Sequence, residues 1–261
     1  MIAQRTLQAN IDLWLLDLQR NVFNRVTDNP RVDSMPVWSP DGERVVFSGA
    51  VDDGSSLMIM RIDGTANDTL SVSATDAKIA CDWSADGRFI LYKQLDQATG
   101  TSDLWALGMS EEGTPFQVVH TPSDERDGQF SPDGKWVAYQ SDEAGQPEIY
   151  LQPFPGPGPK VRVSINGGTQ VRWSSNGKEL FYIAPDERLM AVGIDLAAGA
   201  GGVGRPEPLF TTRLAPIRSI SRQQYVVAPD GQRFLMSSVE ESPTSPITLI
   251  LNWNGRPPRG F

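Results

Sequence analysis

A four-residue turn recurs five times along this chain and constrains its fold more than any other feature. The copies are Ser39-Pro40-Asp41-Gly42, Ser84-Ala85-Asp86-Gly87, Ser131-Pro132-Asp133-Gly134, Ser174-Ser175-Asn176-Gly177 and Ala228-Pro229-Asp230-Gly231. Their glycines are spaced 45, 47, 43 and 54 residues apart. Each copy has turn chemistry: Ser at the first corner, Pro presetting φ at the second, Asp or Asn at the third, and a Gly free to take positive φ. A turn of that kind joins two antiparallel strands.

The flanks repeat with the turn. A short strand ending in an aromatic residue or Val precedes it, as in Val37-Trp38, Asp82-Trp83, Gln129-Phe130, Arg172-Trp173 and Val226-Val227. An alternating apolar strand follows, as in Arg44-Val-Val-Phe47, Phe89-Ile-Leu-Tyr92 and Trp136-Val-Ala-Tyr139. A third strand comes next (Leu57–Met60, Leu104–Leu107, Ile149–Leu151, Leu189–Val192), and a more variable fourth closes the unit. Four strands in about 45 residues is the period of a propeller blade. No window of helical length shows a 3.6-residue apolar stripe.

The fold class read from this pattern is all-β, a β-propeller of four-stranded antiparallel blades forming a single domain over 1–261. A partial blade covers 1–32 and full blades cover about 33–74, 75–122, 124–166 and 167–213; a last blade runs about 223–253, with a tail at 254–261. In the first blade Ile2–Arg5, Ile11–Leu18 and Asn24–Thr27 read as second, third and fourth strands, with no turn tetrapeptide ahead of them. An open ring would expose strand edges, so the expectation is that part of the first blade lies ahead of Met1.

Composition narrows the function classes. The 261 residues include one Cys (Cys81) and one His (His120), which excludes a disulfide framework and a multi-Cys or multi-His metal cage. A net charge of −9 argues against a nucleic-acid binder, which needs a positive footprint for phosphates. No stretch has the roughly 18 consecutive apolar residues of a membrane span. The charge is lopsided, with 11 basic and 24 acidic residues in 1–159 against 12 and 8 in 160–261.

The segments Pro36–Ser48, Gln129–Glu143 and Glu148–Pro155 resemble the TolB-type, WD-like β-propeller repeat, and the likeness covers nearly the whole chain. Pro147–Gly156, Asn166-Gly-Gly-Thr-Gln170, Glu179–Ala184 and the tail Ser245–Trp253 resemble the carboxy-terminal propeller of bacterial transmembrane serine/threonine protein kinases. That resemblance implies a six-bladed ring, a sensor or docking role, and a kinase domain upstream. If the parent spans a membrane, it also implies an extracytoplasmic (periplasmic) location. The chain itself has no His-Arg-Asp loop and no Asp-Phe-Gly, so kinase chemistry is not assigned to it.

Few motifs carry chemistry. No Gly-x-Ser-x-Gly elbow occurs, and a nucleophile paired with His would have to use His120, at the end of a fourth strand. Cys81 reads as a core thiol. Gly199-Ala-Gly-Gly-Val-Gly204 matches a dinucleotide fingerprint, but Arg205-Pro206-Glu207-Pro208 follows where a helix is required. Asp52 and Asp53 form a solvated loop pair, Asn67-Asp68-Thr69 a chance sequon, and Pro153–Pro159 a stiff connection. No catalytic residue, metal or cofactor is expected.

One constellation stands out. The residues at the starts of the inner strands are polar although the strands are apolar: Asp33 and Ser34, Lys78, Arg126 and Asp127, Thr169 and Gln170, Arg222 and Gln224. In a propeller these ends converge on one mouth of the central channel, and convergent polar groups in a concavity are a binding-site signature. The expected function is non-catalytic capture of a protein, peptide or small ligand there by the sensor or docking domain of a kinase-like protein. The alternatives are a TolB-like periplasmic protein-interaction propeller, a propeller accessory to a peptidase, and a metal-dependent lactonase.

Overall fold

The computed structural model of the chain describes residues 1–7, 10–52, 54–63, 67–70, 76–110, 113–156, 158–195, 197–198, 202–214, 223–238 and 248–249. They form an all-β propeller fold whose sheets follow one another along the sequence.

The first sheet has three strands, β1 (Ile2–Leu7), β2 (Asn10–Asp17) and β3 (Val22–Arg25). Four sheets of four strands follow: β4 (Asp33–Trp38), β5 (Arg44–Val51), β6 (Gly54–Arg61) and β7 (Asn67–Thr69); then β8 (Lys78–Trp83), β9 (Phe89–Leu95), β10 (Ser102–Gly108) and β11 (Pro115–Val119). Next come β12 (Glu125–Phe130), β13 (Trp136–Ser141), β14 (Glu148–Pro153) and β15 (Val161–Arg162), and then β16 (Thr169–Trp173), β17 (Glu179–Ile183), β18 (Arg188–Gly193) and β19 (Glu207–Thr211). A short ladder, β20 (Tyr225–Val227), β21 (Phe234–Met236) and β22 (Thr248–Leu249), comes last. The described residues thus hold five blades of three to four strands, not the six implied by the kinase-associated propellers. Among the described residues the terminal ladder has strands of 3, 3 and 2 residues.

The recurrent turn works as its chemistry requires. In the third sheet the Ser84 hydroxyl donates to Asp86 Oδ1 at 2.7 Å and accepts the Phe89 N–H at 2.9 Å, while the Gly87 N–H reaches Ser84 O at 2.8 Å. Gly87 sits at φ 75°, open to glycine at little cost. Ser39, Ser131 and Ser174 make the same pair of side-chain bonds, and each is buried. Ala228 keeps the backbone turn but has no hydroxyl to offer.

The chain divides into two compact units, Met1–Gly128 and Gln129–Phe261, with the division inside β12. Within the first, the core lies between successive sheets: Val46, Leu57 and Ile59 pack with Ala80, Trp83, Ile90 and Tyr92. Within the second, Ala138, Ile149, Leu151 and Val163 pack with Val171, Trp173, Leu180 and Tyr182. Middle strands that are apolar on both faces are what this sheet-on-sheet burial demands.

The inner strands share an irregularity. Two residues of β4, Met35 and Pro36, stand against one of β5, and Gln170 and Val171 of β16 stand against one of β17; Cys81 is an extra residue in β8. These are β-bulges. Met35 (φ 54°), Asp127 (φ 53°) and Gln170 (φ 57°) take left-handed backbone, each three residues ahead of the strand's closing aromatic. For a residue other than glycine that costs about 1–2 kcal/mol.

Candidate functional site

In the first unit the starts of β4, β8 and β12 carry the charged residues expected at the inner ends. Asp33 opens β4 and is buried; Asn29 Nδ2 donates to its Oδ2 at 2.6 Å. Burial raises its pKa, opposed by hydrogen bonds from Thr27 and Asn29, and the Asp12 carboxylate adds to the rise. Asp12 is itself buried and held by Arg25 at 2.8 Å.

Lys78 opens β8, is also buried, and donates to Asp76 O at 3.0 Å. Burial lowers its pKa, and the Asp76 carboxylate partly offsets this. Ser34, the second residue of β4, is half-buried.

Arg126 and Asp127 keep more access to solvent, both being half-buried. The Arg126 guanidinium is ion-paired to Asp124, whose Oδ1 also accepts the Ser102 N–H at 3.0 Å. Arg126 Nε has no hydrogen-bond partner among the described residues. Behind them lies Lys93, buried at the end of β9, within electrostatic reach of Cys81, Asp127, Arg126 and Asp124. Burial lowers the Lys93 pKa, and the neighbouring carboxylates and thiol work against that shift. The Cys81 thiol is pushed up to about 12, first by burial and then by the Asp127 carboxylate.

In the second unit Gln170 is buried and forms a reciprocal pair with Gln224: Gln170 Nε2 donates to Gln224 Oε1 at 3.1 Å, and Gln170 Oε1 accepts the Gln224 N–H at 2.8 Å. Thr169 donates to Ile183 O at 3.4 Å. Arg222 lies outside the described residues. Asp33, Lys78 and Gln170 are thus groups satisfied at seams, while Arg126, Asp127 and Gln224 retain solvent access.

The sequence reading missed Lys93 and the bulges. A signal for Lys93 was present: Ser48, Lys93 and Gln140 all follow the aromatic residue of a second strand, where an apolar residue would otherwise continue the pattern. The reading also missed how the bulge amides are satisfied. Gln4 Oε1 accepts the Met35 N–H at 2.9 Å, Ser48 Oγ accepts the Ala80 N–H at 3.0 Å, and the Cys81 thiol accepts from the Gly128 N–H.

Other motifs take unremarkable places. His120 is exposed and 2.8 Å from Asp103 Oδ2. Asp52 pairs with Arg31 at 2.7 Å, and Asp53 lies outside the described residues. Residues 199–201 of the glycine run also lie outside them, while Gly202 O accepts the Asp195 N–H and strand β19 follows at Glu207. Among the described residues no three His, Cys, Asp or Glu side chains are grouped to hold a metal. Among the described residues no helix is long and apolar enough to cross a membrane.

Known structures share this architecture. TolB from Acinetobacter baumannii superposes with a TM-score of 0.70 at 17% identity, over 88% of this chain and 55% of that one. A TolB candidate from Agrobacterium tumefaciens matches with a TM-score of 0.64 at 19% identity, over 76% and 73% of the two chains. The fold is that of a TolB-like β-propeller. Among curated proteins, the uncharacterized peptidase YuxL of Bacillus subtilis (strain 168) is 24% identical over 148 residues, 53% of this chain and 20% of that protein. The chain therefore spans about a fifth of the length of that relative. No family model matches the chain.

Proposed function

We propose that this chain is a non-catalytic, protein-binding propeller of the TolB type. On this reading it captures a partner segment through the half-buried charged groups at the inner-strand starts of its first unit, Arg126 and Asp127 foremost. The carrying observation is Asp127: a left-handed, non-glycine, half-buried residue within electrostatic reach of buried Lys93 and beside half-buried Arg126. Strained backbone of this kind persists where the surroundings over-determine it, and it clusters at binding sites. The polar groups offer both donors and carboxylate acceptors, which suits the main chain and charged side chains of a peptide.

A selection of displayed peptides against the chain tests the reading. Arg126→Ala and Asp127→Asn are each expected to weaken the selected peptides about tenfold, equivalent to about 1.4 kcal/mol. Melting temperature should move by no more than about 2 °C. Peptides that bind both variants as they bind the unaltered chain would refute it.

A propeller accessory to a peptidase is the second reading, favoured by the likeness to YuxL over 53% of the chain. The coding sequence flanking these residues decides it, since a peptidase domain in the same frame is required. None of the likenesses above carries the kinase link.

A further inference from the structure

Asparagine followed by glycine is a reactive pair, because the glycine nitrogen can attack the neighbouring carboxamide carbon with no side chain in its way. The sequence holds three such pairs: Asn166-Gly167, Asn176-Gly177 and Asn254-Gly255. The last lies outside the described residues.

Asn176-Gly177 belongs to the fourth recurrent turn and is tied on both sides of the reacting bond. Asn176 Oδ1 accepts from the Ser174 hydroxyl at 2.8 Å and from the Lys178 N–H at 2.9 Å. The attacking atom is engaged as well, since the Gly177 N–H donates to Ser174 O at 3.0 Å. Bringing that nitrogen onto the carboxamide breaks all three bonds. Three bonds of ordinary strength slow such a step by at least about tenfold.

Asn166-Gly167 lies in the connection from β15 to β16 and is tied by none of these. Asn166 is exposed, at φ 62°, beside Ile165, which is 58% exposed. Among the described residues no hydrogen bond is made by its carboxamide or by the Gly167 N–H. The next fixed amide is that of Gly168, which donates to Pro147 O at 2.8 Å.

We propose that Asn166 is a site of spontaneous deamidation in the folded chain, while the turn holds Asn176 as an amide. Gly167 N, losing its proton to hydroxide, bonds to Asn166 Cγ, and the Cγ–Nδ2 bond breaks with release of ammonia. Water then opens the resulting succinimide at one of its two carbonyls, giving aspartate or isoaspartate. Either product carries a carboxylate, so an exposed neutral residue gains a negative charge above the ordinary carboxylate range. The isoaspartyl form also adds one main-chain carbon ahead of a closely packed corner. A Cβ on Gly167 would meet Pro185 Cγ at 2.5 Å, and one on Gly168 would meet Ser164 Cβ and Tyr182 Cδ2 at 2.9 Å. That corner leads directly into Thr169 and Gln170 of β16. Neither step uses Arg126 or Asp127.

The test is peptide mapping of the unaltered 261-residue chain after incubation at pH 8.5. Trypsin separates the two sites, on residues 163–172 and 173–178. In the folded chain the acid form of the first peptide should accumulate at least about tenfold faster than that of the second. In urea the two rates should converge. Ser174→Ala should raise the rate at Asn176 alone, since it removes one of the three bonds. The comparison with urea keeps the test decisive if that variant does not fold. Equal rates at the two sites in the folded chain, or faster conversion at Asn176, overturn the proposal. So does an Asn166 that stays an amide over a time in which the unfolded chain converts.

Discussion

Ser84→Ala is the sharpest perturbation this fold offers, since it removes one oxygen from one turn and nothing else. That oxygen donates to Asp86 Oδ1 at 2.7 Å and accepts the Phe89 N–H at 2.9 Å, and Ser84 is 1% exposed. Each such bond contributes about 1 kcal/mol net, and a backbone N–H stripped of its acceptor in a buried setting costs about 1–3 kcal/mol. Together they predict a loss of about 2 kcal/mol. For a chain of this size that lowers the melting temperature by about 4–8 °C. The repeat supplies the reverse experiment. Ala228 sits in the same backbone turn, with its N–H bonded to Arg233 O at 2.8 Å, and lacks the hydroxyl. Ala228→Ser should therefore gain about 0.5–1 kcal/mol. Calorimetry reads both variants, and amide exchange at Phe89 and Arg233 localises the change. A Ser84→Ala protein that melts within about 1 °C of the parent, with Phe89 exchange unaltered, would refute the assignment of the turn's strength to this hydroxyl.

Three further outcomes follow from the geometry. The Ser84 hydroxyl, more than any other cause, holds the Asp86 carboxyl down to about 2, so its contribution is present above the ordinary carboxylate range and is lost as pH falls through about 2. Carbon-detected titration should show that midpoint rising toward about 3.9 in Ser84→Ala. Gly128→Ala places a methyl group 2.6 Å from Leu91 Cδ2 and 3.1 Å from Leu104 Cδ1, both on fully buried side chains; chemical denaturation should show a loss of about 1–3 kcal/mol. Cys81 is half-buried and its thiol is raised to about 12, first by desolvation; it should react with an aromatic disulfide reagent at pH 8 more slowly than in the urea-unfolded chain, and equal rates would contradict the raised thiol. The same shift makes the folded state lose stability as pH climbs from about 8.5 toward about 12, because the unfolded thiol ionises first.

What the sequence disclosed was local. Ser, Asp and Gly within four residues bond to one another, so the turns of Ser39, Ser84, Ser131 and Ser174 and the strands beside them were legible without a structure. The bulges were not, because a bulge is a relation between two strands: nothing within Asp33–Trp38 says that Met35 and Pro36 oppose a single residue of β5. The inner-strand starts were legible as polar, but not which of them stay accessible. Asp33 and Lys78 are buried because Asn29 and the Asp76 carbonyl satisfy them, and both partners lie in connections with no repeat of their own. Blade number was carried by resemblance, and the three-residue strands β20 and β21 show why it did not transfer.

Four backbone amides in or beside the inner strands bond to a residue earlier in the chain. Met35 bonds back to Gln4, Ala80 to Ser48, Gly128 to Cys81 and Gln224 to Gln170; in every case the acceptor precedes the donor. A chain emerging from the ribosome thus presents each acceptor before the strand that needs it.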